Sequence, residues 1–331
     1  MSWAHIGYRM LSTPILFIVF NRPEHTRRVL AQITKQKPSS LFIFQDGVRD
    51  SVSDDVDNCA AVRSVIEETL NQTKIQAKCW FSKTNLGCGR GPASAISWFL
   101  NEVDQGIIIE DDALPHPDFF VFAETLLNEY ASDSSVMAIG SMKLGKKKYG
   151  DGSYYFSKMN HTLCAWATWR RAWVHFDLYL KDFSEKQLDA CLKRYGTRLR
   201  EREYWCERLI EIHKDCLSNS SWDQQFWMCI WRVGGKGILP NVNLCTNIGF
   251  DSLATHTYDS SSLAANVPSE SILPLVHPSR DSINREADFD FQRSYFSPWS
   301  YGWKGVKNLP FRINKRLKKL LHHEGSWIKR G

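Results

Sequence analysis

Nothing in this sequence is long and apolar enough to suggest a membrane-spanning helix. The longest apolar run, Ile15 to Phe20, leads at once into Asn21-Arg22-Pro23 and is far short of the roughly 20 residues that a span requires. The N-terminus lacks the basic-then-apolar order of a secretory signal. Any CxxC pair is missing too. The nine cysteines, at positions 59, 79, 88, 164, 191, 206, 216, 229 and 245, are odd in number and scattered, which excludes knuckle-type metal sites and suits a reducing compartment. Together these absences predict a cytoplasmic protein without a transmembrane anchor. No segment repeats another. The body also lacks net charge: of the overall +6, the tail Lys304 to Gly331 carries nine Lys/Arg against Glu324 alone, a net +8, and leaves 33 basic and 35 acidic residues elsewhere. This is a basic tail and not a basic protein, and no nucleic-acid recognition module accompanies it.

What is present is a chain of 331 residues, 43% hydrophobic, enough to bury a full-sized core in one large domain or two closely packed halves. Its 13 tryptophans suit both a large core and a cleft that stacks flat rings or sugar faces.

The first third alternates short apolar runs with amphipathic stretches, as a parallel α/β sheet requires. Pro14–Phe20 reads as a buried strand and Glu24–Thr34 as a helix opened by Pro23. Leu41–Gln45 is a second strand ending in Asp46-Gly47, followed by a helix over Val56–Leu70. Ile75–Phe81 is a third strand. A glycine-rich loop, Thr84 to Pro92, then leads into a helix over Ala93–Glu102. Gly106–Ile109 is a strand that runs directly into Glu110-Asp111-Asp112. Ligands of open α/β sheets bind beyond the carboxyl ends of the strands, and Asn21-Arg22, Asp46-Gly47, the glycine loop and the three acids all fall on that edge. Further on, Asp118–Tyr130 reads as a helix, Val136–Ser141 and Tyr154–Ser157 as strands, Leu178–Ser218 as a helical insertion and Trp222–Arg232 as an aromatic helix. A short strand lies around Ile238, and residues 259–303 read as an extended wrap over the surface or as partly disordered.

Three consecutive carboxylates repel one another unless a cation or basic side chains neutralise them. A hard divalent ion, Mn²⁺ or Mg²⁺, takes oxygen ligands and accepts one or two carboxylates plus substrate phosphates. In an extended segment side chains alternate, so Glu110 and Asp112 point one way and Asp111 the other; the competing reading is a solvated strand end. Gly87, Gly89 and Gly91 permit close backbone approach to a phosphate or sugar ahead of a helix N-terminus, or simply a tight turn, and Arg90 in that loop is the candidate diphosphate or sugar contact.

Thr13 to Pro23, then Gln45-Asp46-Gly47, then Ile109-Glu110-Asp111-Asp112 with Pro117-Asp118-Phe119-Phe120, resemble the donor half of GT-A fold nucleotide-diphospho-sugar transferases, the N-acetylglucosaminyltransferase I pattern above all, over residues 13 to 125. The resemblance implies a Rossmann-like, mostly parallel sheet flanked by helices. It implies that Phe20, Asn21, Arg22 and Asp46 address the nucleotide base and ribose, that Asp112 coordinates Mn²⁺, and that Glu110 and Asp111 stand nearer the ribose and donor sugar; the other reading of Arg22 and Asp46 is a helix-start arginine and a turn-forming Asp-Gly. Ser221-Trp222-Asp223-Gln224-Gln225-Phe226-Trp227-Met228 resembles the same family's Trp-Asp-Asp-Trp-Met stretch, with Asp223 on the catalytic base and Gln224 in place of a second acid; alternatively Asp223 caps the helix that follows. Asn247-Ile248-Gly249-Phe250 with Thr255-His256-Thr257 resembles the late loop of bacterial sugar transferases, in which a histidine returns to the metal, so His256 is a candidate ligand. Trp166 and Trp169 are candidates for a pocket wall or for core packing.

The chain thus divides into a donor-binding half, 1–125, an acceptor half, 126–258, with an insertion at 178–220, the wrap of 259–303 and the tail of 304–331. In the tail, Leu309, Ile313, Leu317, Leu320 and Leu321 recur at helical spacing among lysines and arginines, the pattern of a helix lying on an anionic membrane surface; packing on its own domain is the other reading. The expected function is metal-dependent transfer of a sugar from a nucleotide donor, a UDP-sugar, to a glycan or lipid-linked acceptor. Its alternatives are a sugar nucleotidyltransferase and a non-catalytic glycan-binding subunit.

Overall fold

A computed structural model describes residues 10–159, 162–214, 222–250 and 265–296. The chain forms two compact units, 1–288 and 289–331, and of the second only 289–296 are described. The elements of the first unit are, in chain order, β1 (Ile15–Val19), α1 (Pro23–Lys35), β2 (Leu41–Gln45), α2 (Asp54–Thr73), β3 (Ala77–Phe81), α3 (Gly87–Glu102), β4 (Gln105–Glu110), β5 (Ala113–Pro115), α4 (Pro117–Glu129), β6 (Val136–Gly140), β7 (Tyr154–Ser157), β8 (Trp166–Trp169), α5 (Arg170–Trp173), α6 (Glu185–Arg194), α7 (Leu199–Lys214), α8 (Asp223–Val233), β9 (Lys236–Pro240) and β10 (Cys245–Asn247). A last helix, α9 (Arg285–Tyr295), continues into the second unit.

The architecture is mixed α/β: an eight-stranded, mostly parallel sheet in the order β3-β2-β1-β4-β8-β6-β9-β7, flanked by helices. β1, β2 and β4 are apolar nearly throughout because a parallel strand covered on both faces has no solvent side to alternate towards. β1 sits between β2 and β4, and Ile18 is in register with both Phe44 and Glu110, so the strand ends bearing Asn21, Asp46 and the three acids share one edge. β8 runs antiparallel to both β4 and β6, and β6 therefore points the same way as β4. The sheet is continuous across residue 125.

One face of the sheet is filled by aromatics, among them Phe42, Phe44, Phe99, Trp166, Trp173 and Phe226. Each fully buried ring of this size contributes about 1.5–3 kcal/mol over its exposed state. A buried ion pair, Lys158 with Asp288 at 3.3 Å, is backed by Ser157 Oγ, which donates to Asp288 at 2.6 Å.

The glycine-rich segment differs from expectation. Instead of a loop ending at Pro92, α3 begins at Gly87 and carries Pro92 inside it. Helix formation starts early because the Asp46 carboxylate, from a different loop, accepts the Leu86 and Gly87 N–H groups at 2.8 and 2.9 Å. Gly91 leaves room for this, since a Cβ there would lie 3.3 Å from Asp46 Oδ2. Three strands and two helices, α9 and the four-residue α5, escape the periodicity. β5 and β10 are three residues each and too short to show any period, β8 is buried at all four positions, and α9 falls in the stretch read as an extended wrap. No helix among the described residues is long and apolar enough to cross a membrane, and the basic tail lies outside them.

Candidate active site

The site begins where β4 ends. Glu110 is the last strand residue, and Asp111-Asp112 form a turn before β5. The turn breaks the expected alternation: Arg22, one residue ahead of α1, reaches both acids, bonding Asp111 Oδ1 through Nη2 at 2.5 Å and Asp112 Oδ2 through Nη1 at 3.3 Å. Arg22 is thus turned onto the carboxylates and not towards a base, because the buried Asp111 beside the half-buried Asp112 needs a counter-charge. Asp111, 3% exposed, also accepts the Phe20 N–H on Oδ2 at 3.3 Å, so both of its oxygens are taken by the protein.

Glu110 is the opposite case. No hydrogen bond or ion pair reaches its carboxylate among the described residues, and burial together with the Asp112 and Asp111 charges pushes its pKa up to about 8. Asp112 keeps Oδ1 without a partner. Asp223, in the first turn of α8, stands close enough for its charge to raise Glu110 further. The capping position of α8 falls on Trp222 and not on Asp223. Cys164 and Cys88 also lie within electrostatic reach of Glu110, and no sequence signal pointed to either.

The late loop folds down onto this corner. β10 pairs antiparallel with β5 immediately after the acids, and the Ile248 N–H donates to the Asp112 carbonyl at 2.8 Å. The Ile248 carbonyl meets His25 Nε2 at 3.0 Å. A Cβ on Gly249 would lie 2.5 Å from Asp112 Oδ2 and 3.0 Å from Arg22 Nη1, so only glycine lets the loop approach this closely. The motif around Gly249 was visible in sequence; its contact with Asp112 was not. His256 lies outside the described residues.

The remaining candidates are placed differently. Asn21 donates through Nδ2 to Asp55 Oδ1 at 2.7 Å, while Asp55 is gripped by Arg49 Nε at 2.7 Å, and the Arg49 guanidinium lies over the Phe20 ring at 5.2 Å. Asp46 accepts three backbone N–H groups, those of Gly47, Leu86 and Gly87, and burial nevertheless raises its pKa. Gly89 is buried and Arg90 exposed in the first turns of α3. Trp166 has no exposed surface and stacks on Trp222 at 5.5 Å, and Trp169 is 3% exposed. Both are core residues and not pocket walls, because β8 is an interior strand of the sheet. The Trp166 Nε1–H is buried without a partner.

Among the described residues no group of three or more His, Cys, Asp or Glu is arranged to hold a metal. The two open carboxylates, Glu110 and Asp112, nonetheless fit a hard cation that draws its remaining ligands from phosphates and water. A cleft of about 570 Å³ between the start of α6 and the end of α7, lined by Phe183, Gln187, Ile210 and His213 among others, shares no residue with this cluster.

No family model matches the chain, and no curated protein matches it. Solved structures give distant likenesses. One is 4-diphosphocytidyl-2C-methyl-D-erythritol synthase from Anaerococcus prevotii, with TM-score 0.31 and 8% identity over 49% of this chain and 74% of that one. Another is UDP-glucose pyrophosphorylase complexed with UDP-glucose, with TM-score 0.35 and 8% identity over 69% and 90%. A third is the inositol-1-phosphate CTP transferase from T. maritima, with TM-score 0.29 and 10% identity over 52% and 74%. These enzymes transfer nucleotidyl groups by their names, but likenesses so distant carry no argument about what this chain does, and its fold is read from its own sheet.

Proposed function

We propose that the chain is a nucleotide-sugar-dependent transferase that moves a sugar from a nucleotide-diphospho donor, a UDP-sugar, to a hydroxyl of a glycan or lipid-linked acceptor. The observation that carries this reading is the pair of open carboxylates at the end of β4: among the described residues Glu110 has no partner and Asp112 keeps one oxygen, with Asp223 within electrostatic reach of Glu110. Glu110 and Asp112, with His256 as a proposed further ligand, would hold Mn²⁺ or Mg²⁺. The ion supplies positive charge to the leaving diphosphate. Asp223 takes the proton of the acceptor hydroxyl as its oxygen attacks the anomeric carbon, and the C–O bond to the diphosphate breaks with its electron pair on the phosphate. Attack opposite the leaving group inverts the sugar centre. The basic tail is proposed to bring the chain to an anionic membrane surface, which deletion of residues 304–331 tests by loss of binding to anionic vesicles.

A panel of nucleotide sugars, followed by thermal shift and by sugar transfer to glycan acceptors, tests the central reading. Asp223→Asn is expected to keep donor binding and lose transfer by about 10²-fold or more; transfer at the parent rate removes the base assignment. The parallel half β3-β2-β1-β4 would also serve a sugar nucleotidyltransferase. The same assays separate the two: that activity consumes a nucleoside triphosphate and a sugar phosphate and releases pyrophosphate. Against it stands Arg22, locked onto Asp111 and Asp112 where a mobile basic, glycine-rich segment would be needed after β1.

A further inference from the structure

The loop that follows β6 reads Lys143-Leu144-Gly145-Lys146-Lys147-Lys148, four cations in six residues and no arginine. Because β6 runs with β4, this loop leaves the sheet on the edge that bears the carboxylates. Its start is tied to the same corner. The Leu244 N–H donates to the Ser141 carbonyl at 2.9 Å and the Lys143 N–H to Asn243 Oδ1 at 3.2 Å. Met142 Sδ lies 3.9 Å from Cys164 Sγ, and Cys164 senses Glu110 and Asp112.

Lys143 is 6% exposed. Its ammonium donates to the Lys147 carbonyl and lies over the Tyr149 ring at 5.2 Å; no carboxylate pairs with it among the described residues. A buried ammonium without a counter-ion is costly, and here the neighbours add to the cost. Lys147 shares the Tyr149 ring at 5.4 Å, with Glu286 as an ion-pair partner at 2.5 Å. Burial and the nearby Lys148 charge lower the Lys143 pKa. Lys146 and Lys148 are exposed and have no ion-pair partner among the described residues. So much uncompensated positive charge on a functional edge calls for an anion. Lysines act as point charges that suit a tetrahedral phosphate, whereas a planar carboxylate favours the arginine fork.

We propose that Lys143, Lys146 and Lys148 form a phosphate site for the acceptor, so that the acceptor carries a phosphate group on the side away from its reacting hydroxyl. This rests on the transferase reading above. β6 lies two strands from β4, about 10 Å away, so this phosphate is distinct from the donor diphosphate at Asp112, with room for a sugar ring between the two.

Inorganic phosphate, titrated calorimetrically into the full chain saturated with UDP, reads the site. Saturable binding is expected in the parent. It should weaken about tenfold or more in Lys146→Gln/Lys148→Gln, whose side chains are exposed and dispensable for folding, and further in Lys143→Gln, with UDP affinity unchanged in all. The proposal is overturned if UDP-saturated protein takes up no phosphate, or if the variants bind it like the parent. Flotation with phosphatidylcholine vesicles carrying a long-chain alkyl phosphate separates the sources. Recruitment lost in Lys146→Gln/Lys148→Gln assigns a lipid-linked acceptor and excludes the tail as its cause; phosphate binding without recruitment assigns a soluble one. Should UDP itself not bind, the function proposed above falls, while phosphate uptake by the free chain still reads the loop.

Discussion

The carboxyl ends of β2 and β4 carry acids on the same sheet edge, two strands apart, and use them in opposite ways. At the end of β2 the Asp46 carboxylate is occupied by the N–H groups of Gly47, Leu86 and Gly87. It joins one loop to the start of α3 and has little left to offer a ligand. At the end of β4, Asp111 is likewise occupied, by Arg22 and the Phe20 N–H, but among the described residues Glu110 is bare and Asp112 half so. A buried carboxylate left without a partner costs stability. Asp46 and Asp111 are satisfied within the protein while Glu110 is left open, and under the function proposed above Glu110 and Asp112 are the groups that would receive the cation.

The sharpest way to break this contrast is to exchange the two kinds of acid by mutation. Asp112→Ala is expected to lower kcat/KM for sugar transfer by about 10²- to 10³-fold, while chemical denaturation shows a change under about 1 kcal/mol, because Arg22 keeps Asp111 as its partner. Asp46→Ala should do the reverse. It strips the cap from α3 and leaves buried N–H donors unpaired, at about 2–3 kcal/mol of folding stability, with transfer retained by the folded fraction. If Asp46→Ala leaves stability alone and abolishes donor binding, the assignment of Asp46 to architecture is wrong.

Sequence patterns reached the parallel half of the sheet because its physics is local. β1, β2 and β4 are apolar nearly throughout, and a run that ends in Glu110-Asp111-Asp112 marks the strand and the acids at its end at once. What they missed is long-range. Nothing near Asp46 in the chain announces that it caps a helix 41 residues on, and the turn at Asp111-Asp112 that lets one guanidinium span both acids is fixed by where α1 places Arg22. β8 was hidden because burial on both faces removes alternation, so the sequence leaves its tryptophans open between pocket wall and core. Gly249 lay in a motif that was noticed, but its meaning is a distance to Asp112 more than 130 residues earlier.

Two smaller changes sharpen the contrast. Gly249→Ala places a Cβ against Asp112 and Arg22, and moving the loop to relieve it costs about 1–3 kcal/mol, expected as a roughly tenfold loss of donor affinity in a titration. Unchanged affinity would remove the 247–250 loop from the site. The smallest effect belongs to Asp55, a third acid that is fully occupied, chiefly by the Arg49 guanidinium, with the Asn21 side-chain amide and the Arg49 N–H beside it. Hydrogen bonds from Arg49 pull its pKa below the ordinary carboxylate range against the opposing effect of burial, whereas burial lifts Asp46 above that range despite its amide partners. The depressed value means that the folded state binds fewer protons than the unfolded one, so the Asp55 contribution is present above the unfolded pKa near 4 and is lost as pH falls through the folded value. For Asp46 the sign is opposite, and stability from that group falls as pH rises through its raised pKa. Asp55→Asn, with Arg49 partly exposed and screened, should cost about 1 kcal/mol at neutral pH and flatten the acid limb of a stability profile between pH 5 and 2. A variant whose acid limb matches the parent's would show that the Arg49 pairing adds nothing, and that an occupied acid at this edge gains no more from a cation than from backbone amides.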